Sequence, residues 1–171
     1  AVTKDGDGTL MGCHITQSEA NKQIAALNAS KGDQYNSRNE VTLVWGPPCS
    51  GKSTYVSERA ERGDLILDAD KIHAALSGLE LHDHVDSVST FVQDTWNSLL
   101  RQLRDSNTRA WVIAGVPTRT QREELEGIIT SSHFINTDQD TCHARAKEAN
   151  RPELWHSYID RWFNEFEPNS E

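Results

Sequence analysis

Residues 41–54 read VTLVWGPPCSGKST, an apolar run followed by a glycine-containing loop and the start of a polar segment. The run Val41–Trp45 is rich in β-branched and aromatic side chains and predicts a buried strand. The spacing Gly46-x4-Gly51-Lys52-Ser53 predicts a tight loop that opens a helix. Because glycine admits backbone conformations that a Cβ obstructs, successive N–H groups of such a loop can point inward at an anion. The stretch therefore predicts a phosphate-binding loop, the P-loop, at the end of a strand.

Each part of the P-loop has an expected task. Lys52 brings a positive charge to the β- and γ-phosphates of a nucleotide, and Ser53 offers its hydroxyl to Mg²⁺. The N-terminus of the next helix adds partial positive charge. We therefore expect ATP, or less commonly GTP, and Mg²⁺ as cofactors. The residues expected around the nucleotide phosphates are Gly46, Pro47, Pro48, Cys49, Ser50, Gly51, Lys52, Ser53 and Thr54.

Strand and helix patterns alternate after the P-loop, which predicts a parallel sheet covered on both faces. The expected fold class is α/β: a P-loop NTPase three-layer sandwich with a four-stranded, or slightly larger, parallel sheet. Thr120 with Glu123 reads as a capping box that begins a helix. The expected strands are 41–45, 64–67, 110–115 and 133–136, and the expected helices are 53–62, 71–76, 85–105, one from 120, 139–149 and 155–166.

The first 38 residues are expected to form a separate appendage. A short strand over 9–15 and a helix that begins with a capping box at Thr16 precede the polar linker 31–40. This predicts a strand-helix appendage with linker at 1–38 and the P-loop domain at 39–171. Because a strand and a helix are too few to fold alone, residues 1–30 are expected to pack on the main domain or on a protein partner.

Composition narrows the possible partners and compartments. The formal net charge of -9 and a pI near 5.2 disfavour binding of duplex DNA through many phosphate contacts. The sequence contains neither a run of about 20 apolar residues nor a signal-peptide pattern, so we expect no membrane partner and a cytoplasmic protein. The 3 cysteines lack the spacing of a disulfide framework or zinc site and are expected to be free thiols. Cys49 is expected to point away from the phosphates.

Two carboxylates follow the second predicted strand, where α/β proteins build their sites. Asp70 is expected to accept the proton of an attacking hydroxyl, and Asp68 to bind Mg²⁺, directly or through water. Asp70 is also expected to be the N-cap of the short helix that follows. Each carboxylate could instead have only a structural task.

The third predicted strand ends in Gly115-Val116-Pro117 without the carboxylate that many ATPases and GTPases use to hold Mg²⁺. This disfavours motor ATPases and switch GTPases. Thr118, Arg119 and Arg122 follow and could face an acceptor, although a surface position accounts for Arg122 equally well.

Two arginines follow the fourth predicted strand. Arg145 and Arg151 are expected to reach in from a lid and stabilise the charge of a transferring phosphoryl group. A solvated helix face is the alternative. His82 and His84 flank Asp83 in a polar loop, where exposure to solvent is a more common role than metal binding.

Residues 41–168 resemble the small P-loop kinases typified by the 5′-kinase domain of phage polynucleotide kinase, and the zeta-toxin-like proteins. The motifs that carry the resemblance are Gly46–Ser53, Leu67–Asp70, Arg145 to Arg151 and Arg161–Pro168. The resemblance implies that Asp70 activates an acceptor hydroxyl and that Arg145 and Arg151 are lid arginines. The family's arginine that helps hold an acceptor phosphate is matched here by His73. A weaker resemblance of residues 10–29 to a module of phage-encoded proteins suggests a phage origin and the host cytoplasm.

The sequence thus favours an ATP-dependent kinase that transfers the γ-phosphate to a hydroxyl. Its expected catalytic residues are Lys52, Asp70, Arg145 and Arg151. The acceptor stays open between a nucleic-acid end, a modified base, a nucleoside and another small molecule. The alternative is a non-kinase ATPase or nucleotide-binding module that serves an assembly step.

Overall fold

The structure is a computed structural model and describes residues 40–168. The predicted strand over 9–15, the helix from Thr16, the linker and a protein partner for residues 1–30 therefore lie outside the described residues. Within 40–168, none of the helices has the length and hydropathy needed to cross a membrane.

Four parallel strands form the sheet, and their order is β2-β3-β1-β4. Strand β1 is Val41–Trp45, β2 is Leu65–Asp68, β3 is Ala110–Ala114 and β4 is Ser131–Phe134. Strand β1 pairs with both β3 and β4, with Trp45 opposite Ala114 on one side and Phe134 on the other. The P-loop therefore follows a central strand, as the sequence predicts.

Six α-helices and one 3₁₀ turn connect and cover the strands of the described region. The bounds are α1 Lys52–Ser57, α2 Ala69–Ser77, the 3₁₀ turn Asp86–Val88, α3 Ser89–Arg104, α4 Arg119–Glu123, α5 Gln139–Glu148 and α6 Leu154–Glu165. Together with the parallel sheet, they give the predicted α/β P-loop fold.

Side chains of β1 alternate between the two faces of the sheet. Val41, Leu43 and Trp45 are buried in one cluster, which includes Leu100 and Leu103 of α3. Val44 is buried on the opposite face in a cluster with Val56 of α1, Trp111 and Ile113. Because burial of one such aliphatic side chain contributes about 1.5–3 kcal/mol, the two clusters fix the register of β1 and so the place of the P-loop.

Several element boundaries differ from the prediction. Helix α1 ends at Ser57 rather than residue 62, and its C-cap is Glu58. The helix predicted over 85–105 begins at Ser89, after the 3₁₀ turn.

The prediction of a capping box at Thr120 is wrong by two residues. The N-cap of α4 is Thr118, whose hydroxyl accepts the N–H of Gln121 while the Gln121 side chain accepts the N–H of Thr118. Glutamine at the third helical position serves as well as glutamate, so two overlapping capping patterns competed in the sequence.

Candidate active site

The P-loop depends on backbone conformations that favour glycine. Gly46 has a φ of 148° and Gly51 a φ of 102°. A Cβ on Gly46 would lie 2.6 Å from the carbonyl oxygen of Ile135, which follows β4. The neighbouring strand therefore leaves room only for a glycine at the start of the loop.

Backbone N–H groups of the P-loop are available to an anion. Ser50 donates its N–H to the carbonyl oxygen of Pro47 and so closes a turn. Within residues 40–168, the N–H groups of Cys49, Gly51, Lys52 and Ser53 have no protein acceptor. Because α1 begins at Lys52, these groups lie at the positive end of a helix, an arrangement that fits nucleotide phosphates.

Lys52 lies half-buried beneath the loop. Its Nζ donates hydrogen bonds to the carbonyl oxygens of Gly46, at 3.0 Å, and Pro47, at 2.7 Å. Burial lowers the pKa of Lys52 to about 8, against the opposing effect of the Asp70 charge. The ammonium group is thus held at the loop but poorly solvated, so a phosphate would gain a strong interaction with it.

Both predicted lid arginines lie near the P-loop. Arg145 Nη1 donates to the carbonyl oxygen of Ser50 at 2.8 Å. The Arg151 guanidinium lies over the ring of Trp155, with its Cζ 5.2 Å from the ring centroid. Within the part of the chain that the structure describes, Arg151 Nε is buried without a hydrogen-bond partner. A guanidinium group with a buried, unsatisfied donor fits an anionic ligand.

Asp68 is the N-cap of α2, and the prediction that Asp70 has this task is wrong. The Oδ1 atom of Asp68 accepts the N–H of Asp70 at 3.0 Å. Asp68 is buried, and the burial, followed by the charge of Asp70, raises the pKa of its carboxyl group. Because the helix begins at Ala69, two residues before the expected start, Asp70 lies in its first turn and its side chain is free for another task.

The carboxylate of Asp70 contacts two imidazoles. His82 Nδ1 makes a hydrogen bond with Oδ2 at 3.0 Å, and His84 Nε2 lies 3.1 Å from Oδ1. His84 is exposed, as expected, whereas His82 is half-buried, and both contact Asp70. The spacing of two histidines around Asp83 is the only sequence signal for this arrangement, and it does not reveal that the loop folds back onto Asp70.

His73 lies behind these histidines rather than in the site. It is buried, and its Nε2 accepts the N–H of Val85 at 3.1 Å. A residue so placed cannot reach an acceptor phosphate, which the arginine at the matching position of the resembling kinases helps to hold.

One cavity of about 1150 Å³ joins the P-loop to these carboxylates and to α6. Its lining includes every predicted catalytic residue: Lys52, Asp70, Arg145 and Arg151. Trp96, Trp155 and Tyr158 add aromatic surface that the sequence analysis did not assign to the site. The residues Pro48 to Thr54 of the predicted phosphate site line the same cavity.

The residues that follow β3 and were expected to face an acceptor do not line this cavity. Arg119 and Arg122 line a separate cavity of about 460 Å³. Arg122 donates to the carbonyl oxygens of Val116 and Pro117 and lies over the ring of Trp45, with its Cζ 4.5 Å from the centroid. Arg122 thus holds the turn after β3, which agrees with the surface alternative and not with contact to an acceptor.

The end of β3 carries no acidic side chain, as the sequence shows. Instead, the indole Nε1 of Trp162 donates to the carbonyl oxygen of Gly115 at 2.8 Å. Among the carboxylates that line the cavity, Asp68 and Asp70 come from the end of β2 and the start of α2. The exposed hydroxyl of Ser53 and the carboxylate of Asp68 line one cavity and are oxygen donors, which fits Mg²⁺ bound mainly through phosphates and water.

The two thiols within residues 40–168, Cys49 and Cys142, show no sign of activation. Burial raises the pKa of both Cys49 and Cys142, in the case of Cys142 to about 11. Both are free thiols and pack in one apolar cluster. Among residues 40–168 no group of three or more His, Cys, Asp or Glu side chains could hold a metal ion by itself.

The sequence profile of a family described as "AAA domain" matches residues 41–162. The chain belongs to this family. The match begins with β1 and ends inside α6, so it includes the P-loop, Asp68, Asp70 and both arginines predicted to belong to a lid. No curated protein matches the chain in sequence.

Solved structures similar to this AAA domain protein include three kinases. A gluconokinase from Sinorhizobium meliloti 1021 aligns with a TM-score of 0.52 at 18% identity, over 76% of each chain. A sugar kinase from Janibacter sp. HTCC2649 gives 0.52 at 20% identity, over 77% of this chain and 79% of that one. Shikimate kinase from Acinetobacter baumannii in complex with shikimate gives 0.50 at 17% identity, over 77% and 85%. The fold is therefore that of P-loop kinases.

Proposed function

We propose that this chain is an ATP-dependent kinase that transfers the γ-phosphate of ATP to an acceptor hydroxyl. The observation that carries the proposal is the placement of Asp70, which lines the same cavity as Lys52 and Ser53. Its side chain does not cap α2, because Asp68 is the N-cap. A carboxylate near the phosphate site is what a general base for a hydroxyl requires.

In the proposed reaction, Asp70 accepts the hydroxyl proton as the acceptor oxygen attacks the γ-phosphorus. The bond to the β–γ bridging oxygen breaks, and ADP leaves. Lys52 and the free N–H groups of the P-loop bind the phosphates, while Arg145 and Arg151 stabilise charge on the transferring group.

Mg²⁺ would be held by the Ser53 hydroxyl, with Asp68 near it through water. When bound, the ion would neutralise part of the negative charge of the phosphates. Replacement of Asp68 by Asn retains a good N-cap but removes the negative charge. We therefore expect Asp68→Asn to stay folded and to need more Mg²⁺ for half-maximal turnover, a requirement that a titration of Mg²⁺ at fixed ATP measures.

The acceptor is proposed to be a small hydroxylated molecule or a single-stranded nucleic-acid end. The names of the similar structures, gluconokinase, sugar kinase and shikimate kinase, favour small hydroxylated acceptors. The sequence resemblance to polynucleotide kinase favours a nucleic-acid end, but the burial of His73 removes one expected contact to its phosphate.

A screen with γ-labelled ATP tests the proposal. The panel holds polyols, aldonic acids, nucleosides, modified bases and single-stranded oligonucleotides, and the readout is label in the acceptor. We expect labelling of one class, dependent on Lys52 and Asp70. If ATP is hydrolysed at an unchanged rate whatever acceptor is added, and no acceptor is labelled, the ATPase alternative replaces the kinase.

A further inference from the structure

The two histidines on Asp70, His82 and His84, form what we call the histidine clamp. Each contacts a different oxygen of the carboxylate, at 3.0 Å and 3.1 Å. A carboxylate oxygen has two lone pairs, so one imidazole contact per oxygen leaves lone pairs for a further proton donor. Two contacts on opposite oxygens fix the rotation of the carboxylate, which a single contact would not.

The clamp is supported from within the domain by His73. His73 Nε2 lies 3.1 Å from the backbone nitrogen and 3.2 Å from the carbonyl oxygen of Val85, and its Nδ1 faces Ser77 Oγ at 3.5 Å. The His73 ring lies 4.6 Å from the ring of His84, measured between centroids. The buried imidazole of His73 thus contacts both the backbone of Val85, which follows the clamp, and the ring of His84.

Helix α6 supports the clamp from the other side. Trp155 Nε1 donates to the carbonyl oxygen of His82 at 3.4 Å, and its ring meets the His82 ring edge-on at 5.2 Å. His82 has a φ of 75°, a left-handed conformation that costs a non-glycine residue free energy. The contacts to Asp70 and Trp155 hold the residue in this conformation.

We propose that His82 and His84 are positioning residues that orient Asp70 towards the acceptor hydroxyl. This rests on the proposed kinase function, in which Asp70 is the base. The histidines do not take the proton themselves; they keep a lone pair of Asp70 aligned with the attacking oxygen. The guanidinium group of Arg151 lies over the ring of Trp155. Because Trp155 also contacts His82, one indole connects the clamp around the base with one lid arginine.

The test is a set of matched variants assayed by hydrolysis of γ-labelled ATP, with water as the acceptor. His82→Ala should lower kcat about tenfold and leave the KM for ATP within twofold, because only the orientation of the base is lost. His82→Asn, which retains a donor near the Nδ1 position, should recover most of the rate, and His84→Gln should likewise exceed His84→Ala. Asp83→Ala is the control, since Asp83 is exposed between the two histidines and makes no side-chain contact within residues 40–168.

The Asp70→Asn background separates positioning from a general effect on the fold. His82→Ala should cause no further loss there, since the base it positions is already absent. The proposal would be overturned if His82→Ala lowered kcat by the same factor in the Asp70→Asn background as in the parent. It would also be overturned if His82→Asn had no higher kcat than His82→Ala. A parental rate in Asp70→Asn itself would instead overturn the proposed function.

A readout without catalysis addresses the clamp directly. Imidazole ¹⁵N spectra of the nucleotide-free protein should show His82 with its proton on Nδ1, because that atom donates to Asp70. In Asp70→Ala the proton distribution of His82 should change, while that of His133, which stacks on Tyr55, should not. A proton on Nε2 alone in the parental protein would contradict the clamp whatever the kinetics show.

Discussion

Arg145 reaches from α5 to the P-loop, where its Nη1 donates to the carbonyl oxygen of Ser50 at 2.8 Å. Lys52 donates to two other carbonyl oxygens of the same loop. Two cations thus lie against the loop backbone. A carbonyl oxygen is a weaker hydrogen-bond partner for a cation than a phosphate oxygen. We therefore expect both side chains to exchange these carbonyl oxygens for phosphate oxygens when a nucleotide binds.

Loss of the Arg145 side chain should affect the chemical step more than binding. We expect Arg145→Ala to lower turnover of ATP by about 10- to 100-fold, because an arginine that stabilises charge on the transferring group contributes on that scale. Arg145→Lys should recover only part of the rate. Lys147→Ala, an exposed cation on the same helix, is the control and should behave as the parent. Equal rates for Arg145→Ala and Lys147→Ala would leave Arg145 without a catalytic role.

Nucleotide affinity should depend on pH through Lys52. Burial lowers its pKa to about 8 in the nucleotide-free protein, so the positive charge is lost as the pH rises through that value. Binding then requires uptake of a proton, and the Kd for ADP should rise above pH 8 by up to about tenfold per unit. Calorimetric titration in buffers of different ionisation enthalpy measures both effects. A Kd that is constant from pH 7 to 9.5 would contradict the buried, weakly solvated lysine; Cys49→Ser controls for ionisation of the thiol.

The same lowered pKa should make the free protein more stable in mild alkali. Between a pKa of about 8 in the folded protein and the ordinary 10.5, the unfolded chain binds more protons at this lysine, so the free energy of unfolding rises with pH. Urea unfolding of the nucleotide-free protein measures this, and Lys52→Met should lack the rise. A rise of the same size in Lys52→Met would assign it to other groups.

Gly46 should be far less tolerant of a side chain than other glycines with positive φ. In Gly46→Ala the new Cβ meets a backbone oxygen at 2.6 Å, so we expect a loss of more than about 2 kcal/mol in the free energy of unfolding. Gly127→Ala is the matched control, because Gly127 has a φ of 78° but no atom within 4 Å of the added Cβ. The free energy of unfolding of Gly127→Ala should fall by only about 1 kcal/mol. Equal urea midpoints for the two variants would mean that β4 does not restrict the loop.

Much of the fold was predictable because short-range patterns dictate it. The alternation of Val41, Leu43 and Trp45 with Val44 predicts a strand covered on both faces, and the P-loop spacing specifies a strand, a loop and a helix. Helix ends were less predictable because neighbouring polar residues compete as caps. The pairs Asp68 with Asp70 and Thr118 with Thr120 are two cases in which the earlier residue is the N-cap.

The candidate site was predictable where one motif carries its chemistry, as in Lys52 and Ser53. The histidine clamp was not, because the contact of His82 and His84 with Asp70 depends on a loop that folds back over 12 residues. Its supports, the bond from Val85 to His73 and the contact with Trp155, are tertiary. A pattern of polar residues in a loop carries no trace of such contacts.

The domain boundary at residue 38 stays a prediction. We expect a chain of residues 39–171 to unfold in one cooperative transition and to bind ADP, because the described clusters around β1 already supply a continuous core on each face of the sheet. Thermal unfolding followed by circular dichroism, with and without ADP, measures both properties. A broad transition that ADP does not shift would show that the leading residues belong to the core.

The central claim is that binding and chemistry are divided between the P-loop and Asp70. The most direct measurement compares Asp70→Asn with the parent and with Lys52→Ala, by the affinity for ADP and by the single-turnover rate of γ-phosphate loss from ATP. Asp70→Asn should bind ADP within twofold of the parent and lose about 10²- to 10⁴-fold in rate, whereas Lys52→Ala should lose the affinity itself. An Asp70→Asn protein that turns over ATP at the parental rate would contradict the account.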